Sequence, residues 1–200
     1  AYAANPVTWV DPLGLKCKEQ NAWNKFQQDT KGHFANSSDA SASYRRMKEV
    51  QAMDKADRPD PSTYLPQSYI NAHLDQFEGG ASRFMTKSNL EKYGPGQRDG
   101  TSFIMPSLEA DALTSKAAGD QGALADSLGL PRKMLEGNEL VRVDFDNPKE
   151  LGLRMPSGTE AGANEYWLAG GKLPDGSSEA VIDVGGVPSS RYSVKRVKDN

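Results

Sequence analysis

Few side chains in this sequence are suited to chemistry, and their types narrow what it can do. It has two histidines, His33 and His73, and one cysteine, Cys17. A tetrahedral zinc centre needs four N, S or O donors, and no Asp or Glu stands at a spacing that completes such a set. A metal is therefore not expected, and a single cysteine makes no internal disulfide. His73 could act as a general base if Asp75 or Glu78 oriented it. Glu160 and Glu165 sit in a glycine-rich loop with Tyr166 and Trp167, and binding residues concentrate in such loops. Arg83, Ser102 and Glu179 fall on expected strands. Read plainly, they are a salt-bridged strand residue, a strand decoration and an edge charge. Arg154, beside a strand end, is a weaker candidate. No G-x-G-x-x-G follows a strand and no G-x-x-x-x-G-K-S/T occurs, so neither a doubly wound dinucleotide fold nor a P-loop is indicated.

These residues need a scaffold, and 200 residues supply one domain, or one domain with a helical lead-in. A hydrophobic fraction of 36% beside 26% charged residues suits a globular protein with substantial loops, as do 19 Gly and 12 Pro. No apolar run reaches membrane-spanning length, and no basic-then-apolar signal segment is present. The charge is uneven. Residues 1–58 hold nine Lys/Arg against seven Asp/Glu, whereas residues 59–200 hold fifteen against twenty. A nuclease usually presents a basic face, and the larger segment does not.

Periodicity places the elements. Residues 16–58 read as a helical lead-in: Trp23 and Phe26 share one face, and Tyr44, Met47, Val50 and Met53 line a second helix over Ser41–Asp57. Asn36-Ser37-Ser38-Asp39 supplies the turn and N-cap between them. Arg58-Pro59-Asp60-Pro61 disfavours helix and marks a boundary. Beyond it, a main domain over 64–200 is expected to begin with a helix over Tyr69–Phe77. Strands follow at Ala81–Thr86, Thr101–Met105, Leu140–Phe145, Gly152–Pro156, Glu179–Val184 and Tyr192–Val197. Ser107–Leu128 is helical with a break near Gly119-Asp120. Six short strands with one helical insertion predict an α+β domain and no βαβ repeat.

The segment Asn5-Pro6-Val7-Thr8-Trp9-Val10-Asp11-Pro12-Leu13-Gly14-Leu15 resembles the N-P-x-x-x-x-D-P-x-G-L signature that closes the core of bacterial Rhs/YD-repeat proteins. The resemblance implies that residues 1–15 are a remnant of that core and that a variable toxin domain follows. It implies self-cleavage between Leu15 and Lys16, with Asp11 in the sequence around the cut and the catalytic carboxylates upstream. It further implies association with an Rhs shell and secretion machinery, contact-dependent injection of the type VI kind, and interbacterial competition in the target-cell cytoplasm. A cognate immunity protein would protect the producer.

Residues 64–200 resemble the ADP-ribosyltransferase superfamily. Arg83 in Ala81-Ser82-Arg83-Phe84-Met85 matches its first-strand Arg. Thr101-Ser102-Phe103 matches its second-strand Ser/Thr element, and Glu179 in Glu179-Ala180-Val181-Ile182 matches its late-strand Glu. The resemblance implies a small split, mixed or antiparallel sheet with NAD as substrate and no metal. Arg83, Thr101, Ser102, Phe103, Tyr166 and Trp167 would bind the NAD. Arg83 would bridge a phosphate. Ser102 would hold sugar and glutamate in register, and Glu179 would favour the oxocarbenium-like state as nicotinamide leaves. Ser177 stands where arginine-modifying members carry the first Glu of E-x-E; Glu165 is a substitute, with Glu160 and His73 as secondary candidates. A protein acceptor is preferred to structured RNA. The alternatives are a nuclease toxin, an NAD glycohydrolase using the same pocket, and a non-enzymatic binding domain.

Overall fold

The structure, a computed structural model, describes residues 15–164, 167–173 and 175–197, with the backbone alone for 15–18. Most of the N-P-x-x-x-x-D-P-x-G-L segment, together with Glu165 and Tyr166, lies outside the described residues. The elements are α1 (Leu15–Asp29), α2 (Ser37–Ala52), α3 (Gln67–Asp75), β1 (Ala81–Thr86), α4 (Lys87–Tyr93), β2 (Thr101–Pro106), α5 (Ser107–Ala117), α6 (Gln121–Ser127), β3 (Leu140–Phe145), β4 (Ala180–Asp183) and β5 (Ser193–Arg196). Leu15 and Lys16, the expected cleavage pair, open α1.

The helices form where local chemistry favours them. Asn36 caps α2 by accepting from the Asp39 N–H at 2.9 Å, so the helix starts earlier than its apolar stripe predicts. Its last turn ends at Ala52, and Lys55–Asp57 forms a separate 3-10 turn. The expected break after α5 falls at Ala118, which takes a left-handed φ of 50°, and Asp120 then caps α6. α4 is not foreseen. It is under two turns long and contributes only Leu90 to the core, too little for a visible apolar stripe.

The strands make one sheet in the order β4-β2-β1-β3-β5, with every neighbouring pair antiparallel. With the helices this is an α+β fold. The expected sixth strand at 152–156 is absent: Arg154 makes one bridge to Val181 on the outer edge of β4. Gly152, with a φ of +69°, and Pro156 flank the bridge and stop the pairing. β1 pairs with β3 along all six residues, from Ala81↔Phe145 to Thr86↔Leu140. Its pairing with β2 is confined to Ala81↔Pro106 and Ser82↔Met105. Past Ser82 the two strands part, and the sheet opens between them.

Three cores hold this arrangement. On one face, Ala81, Met85, Ile104, Val143, Phe145, Ala180 and Ile182 pack with Phe77. On the other, Phe84 and Leu140 pack with Leu124 and Ala125 of α6. The covered second face explains why the alternating residues of β3 are all buried. Alternation predicts a solvated face for Arg142 and Asp144, but α5 lies over them. The third core joins the lead-in to the rest: Phe26, Ala40 and Val50 pack with Tyr64, Leu65, Tyr69, Ile70, Met155 and Trp167.

Candidate functional site

The opening between β1 and β2 is where the candidate residues gather. Arg83 lies on β1 just past the last β1–β2 pair. Its guanidinium crosses the gap, donating through Nη1 to Ser102 Oγ on β2 at 3.0 Å and to the Pro95 carbonyl at 2.7 Å. Burial pulls Arg83 down to about 10, so it stays cationic at neutral pH. Among the described residues, no carboxylate pairs with it.

Glu179 enters from the other side. It immediately precedes β4, whose first residue Ala180 pairs with Ile104 of β2. Its side chain and that of Arg83 line one pocket of about 190 Å³, together with Phe84, Phe103, Leu128, Leu130 and Leu173. A neighbouring cleft of about 740 Å³ shares Glu179, Phe103, Leu128, Leu130 and Leu173, and adds Gln97, Asp126, Trp167 and Asp175. Among the described residues the Glu179 carboxylate has no hydrogen-bond or ion-pair partner. Burial, and secondarily the negative charge of Glu160, push it up to about 8.

The backbone around Glu179 is fixed more firmly than its side chain. The Glu179 N–H donates to the Gly171 carbonyl at 2.8 Å. Ser178 donates its N–H to Glu109 Oε2 at 2.7 Å and its hydroxyl to Gln76 Oε1 at 2.7 Å, and accepts from Lys172 Nζ at 2.8 Å.

The other candidates fall into different places. Phe103 lines both cavities, and its ring packs so closely on Gly162 that a Cβ there would sit 3.0 Å from it. Thr101 serves the turn before β2: its hydroxyl and N–H both donate to Asp99 Oδ1, at 2.8 and 3.1 Å. Trp167 is largely a core residue, with Arg58 stacked 4.5 Å above its ring, and it reaches the cleft only as part of its wall. Glu160 is buried and accepts from the Ser157 N–H, the Ser157 hydroxyl and the Gly158 N–H, at 2.9, 3.0 and 2.8 Å. That carboxylate staples its loop, and it reaches the site only as a field on Glu179. Arg154 forms a two-pronged pair with Asp183 at 3.0 and 2.9 Å, on the sheet edge away from the cavity. His33 accompanies Ser68 at 3.2 Å, outside the cavity.

His73 is sealed in the interior and donates from Nε2 to the Glu179 carbonyl at 2.8 Å. Burial, more than the nearby Lys172, lowers it to about 4. It is neutral at physiological pH and has no access to a substrate proton. Asp75 and Glu78 do not orient it; Glu78 instead pairs with Lys149 at 2.8 Å.

Several site residues carry no sequence signal of their own. Leu128, Leu130 and Leu173 wall the pocket but read as ordinary apolar positions flanking turns. Lys55 and Arg58, at the end of the lead-in, brace the loop behind the cleft: Lys55 Nζ donates to the Ala163 carbonyl at 2.9 Å and Arg58 Nη1 to the Gly158 carbonyl at 2.9 Å. Among the described residues no cluster of His, Cys, Asp or Glu has the geometry to hold a metal ion, and no helix is long and apolar enough to cross a membrane.

No known family, curated protein or solved structure matches the chain.

Proposed function

We propose that this chain is a toxin domain that transfers ADP-ribose from NAD to a macromolecule of a target cell, a protein in preference to RNA. One observation carries the reading. A half-buried guanidinium without a carboxylate and a half-buried carboxylate without a cation among the described residues line the same pocket at the opening of the sheet. Burying a charge without a partner is expensive, and perturbed groups in a cleft mark candidate functional sites. A ligand that offers an anion to Arg83 and a developing cation beside Glu179 satisfies both. NAD has that distribution, with a diphosphate at one end and a positively charged nicotinamide–ribose bond at the other. The larger cleft falls within the size range of small-molecule sites.

In this reading Arg83 holds a phosphate, and Ser102, buried behind it, fixes the guanidinium. Glu179 accepts from the nicotinamide-ribose 2′-OH. The positive charge of bound nicotinamide lowers the Glu179 pKa, so the carboxylate is ionised when it is needed. The ribose–nicotinamide C–N bond breaks, its electron pair leaves with neutral nicotinamide, and the ribosyl cation faces the carboxylate. An acceptor nucleophile then forms the new bond to C1′ and loses its proton to solvent. The sheet opening, and the order Arg83 on β1, Ser102 on β2 and Glu179 at the entry to β4, support the resemblance to the ADP-ribosyltransferase superfamily. The buried state of His73 weighs against a nuclease that uses it as a base. The toxin assignment, with injection from an Rhs shell and neutralisation by an immunity protein, rests on the Asn5–Leu15 signature.

The test is mass spectrometry of a susceptible-cell extract incubated with the protein and isotope-labelled NAD, beside Glu179→Ala. Labelled macromolecules that vanish with Glu179→Ala are expected. Free ADP-ribose without a labelled acceptor would redirect the reading to a glycohydrolase. Intact NAD from a toxic preparation would sink both.

A further inference from the structure

Glu179 reaches the pocket from a backbone that α3 anchors from behind. His73 in its last turn and Gln76 at its C-cap bond to consecutive residues of the β4 entry. His73 Nε2 donates to the Glu179 carbonyl at 2.8 Å, and Gln76 Oε1 accepts from Ser178 Oγ at 2.7 Å. A carbonyl oxygen only accepts, so Nε2 carries the imidazole proton and Nδ1 the lone pair. Nδ1 is buried and has no partner among the described residues. An apolar ring would fill this space without leaving an acceptor unmet. The imidazole therefore contributes one polar interaction, and that interaction ends on the Glu179 backbone.

The surroundings hold the ring in place. Tyr69 and Phe77 flank it, with ring centroids at 6.1 and 5.8 Å. Gly171 presses against it from the segment that also binds the Glu179 N–H. A Cβ at Gly171 would lie 2.9 Å from Nε2, and Gly171 has a φ of +73°. The peptide units on both sides of the Glu179 α-carbon are thus bonded, its N–H to Gly171 and its C=O to His73.

We propose that His73 is a positioning residue for Glu179, whose Nε2 proton fixes the Glu179 carbonyl and thereby the line along which the carboxylate enters the pocket. This rests on the reading of Glu179 as the residue that acts on NAD. His73 transfers no proton and touches no substrate. The charged groups that act on it are Lys172 and Asp29, and the one that acts on the Glu179 carboxylate is Glu160.

The test compares His73→Gln with His73→Asn in the full chain. A Gln amide can place an N–H near the position of Nε2; Asn, one methylene shorter, cannot. Nicotinamide release is followed for kcat and for KM toward NAD. Gln is expected to keep kcat within about 3-fold. Asn is expected to lower kcat roughly 30- to 100-fold with KM little changed, since misplacing a reacting group acts on the chemical step. The melting temperatures of the two variants should agree. Equal losses of kcat in both variants, or no loss in Asn, would overturn the proposal.

Two readouts do not depend on turnover. The carboxyl carbon of Glu179, followed by NMR, should titrate alike in the wild type and Gln, and move toward the ordinary carboxylate range in Asn. If the wild type leaves NAD intact, the functional reading fails, and this titration alone decides the positioning role: an unmoved midpoint in Asn overturns it. If neither variant folds, the imidazole nitrogen shifts of the wild type decide. A proton on Nε2 supports the bond, and a proton on Nδ1 overturns it.

Discussion

Arg83 and Arg142 lie on adjacent strands of one sheet, the first half-buried and the second buried, and they are treated in opposite ways. Arg142 closes its charge completely. It donates to Asp144 at 2.6 Å, to Ser82 at 3.1 Å and to Asp111, while Lys195 reaches the other Asp144 oxygen at 2.8 Å. Burial pulls Asp144 upward, but its bonds from Lys195, Ser82 and Arg142 hold it below the usual carboxylate range. Arg83 meets only a hydroxyl and a carbonyl, and the nearest carboxylate in its pocket, Glu179, answers no cation. A closed cluster stabilises the free protein. An open pair costs the free protein stability, and a ligand that completes it recovers that cost. The difference arises at the strand pairing: β1 is fully paired with β3, so that boundary has no gap, whereas β1 and β2 part after Ser82.

The contrast can be broken by substitution. Glu179→Gln keeps the shape and removes the charge, so NAD turnover should fall by about 10³-fold with the melting temperature unchanged or raised. A protein that unfolds instead would put Glu179 in the structural class. Arg142→Ala should do the reverse. Stripping one partner from a buried ion cluster costs about 3–5 kcal/mol, read as a lower urea midpoint, with KM for NAD unaltered in the protein that remains folded. Arg83→Lys keeps the charge but loses the fork that bonds both Ser102 and Pro95. KM for NAD should rise roughly 10-fold, the size of one charge-assisted bond, with little change in stability.

The smallest effect is in the pH dependence of stability. Glu179 is raised to about 8 in the fold, so its contribution is full below its unfolded value and is lost as pH rises toward 8. His73 is lowered to about 4, so its contribution is present above its unfolded value near 6.5 and is lost as pH falls toward 4. The two oppose each other in mildly acidic solution, and above about pH 6.5 Glu179 acts alone. The melting temperature should therefore decline between pH 7 and 9 in the wild type, by a few degrees, and hold level in Glu179→Gln. A parallel decline in both would break the link to Glu179. Apart from Glu179→Gln, these substitutions leave the β4 entry intact and so sharpen the contrast between open and closed charge.

Strand periodicity makes β1, β2, β3 and β4 legible in the sequence to within a residue or two, because each is a short apolar run bounded by glycine, proline or a polar turn. The polar residues at the opening are legible by type alone: Arg83 and Glu179, which line the pocket, and Ser102, buried behind Arg83, stand out because a polar group within an apolar run needs a reason. Their relation is a different matter. The Arg83–Ser102 bond spans the line where two strands separate, and separation depends on what packs above and below the sheet. The same limit misleads at β3, where alternation suggests a solvated face for Arg142 and Asp144 and α5 covers it. His73 illustrates it again: its position three residues ahead of Gln76 at a helix end gives no hint that both meet a dipeptide more than a hundred residues away.

The sequence by itself determined the mixed α and β content, the helical lead-in, the main turns and the types of residue available, since these follow from periodicity, caps and composition that act within a few neighbours. Only the tertiary structure decided which charges would close on each other and which would be left facing a cavity. It also decided that Glu160 staples a loop while Glu179 stays open, and that a buried histidine holds the Glu179 backbone. Those outcomes depend on desolvation and on hydrogen bonds between segments far apart in the chain, and local pattern carries neither.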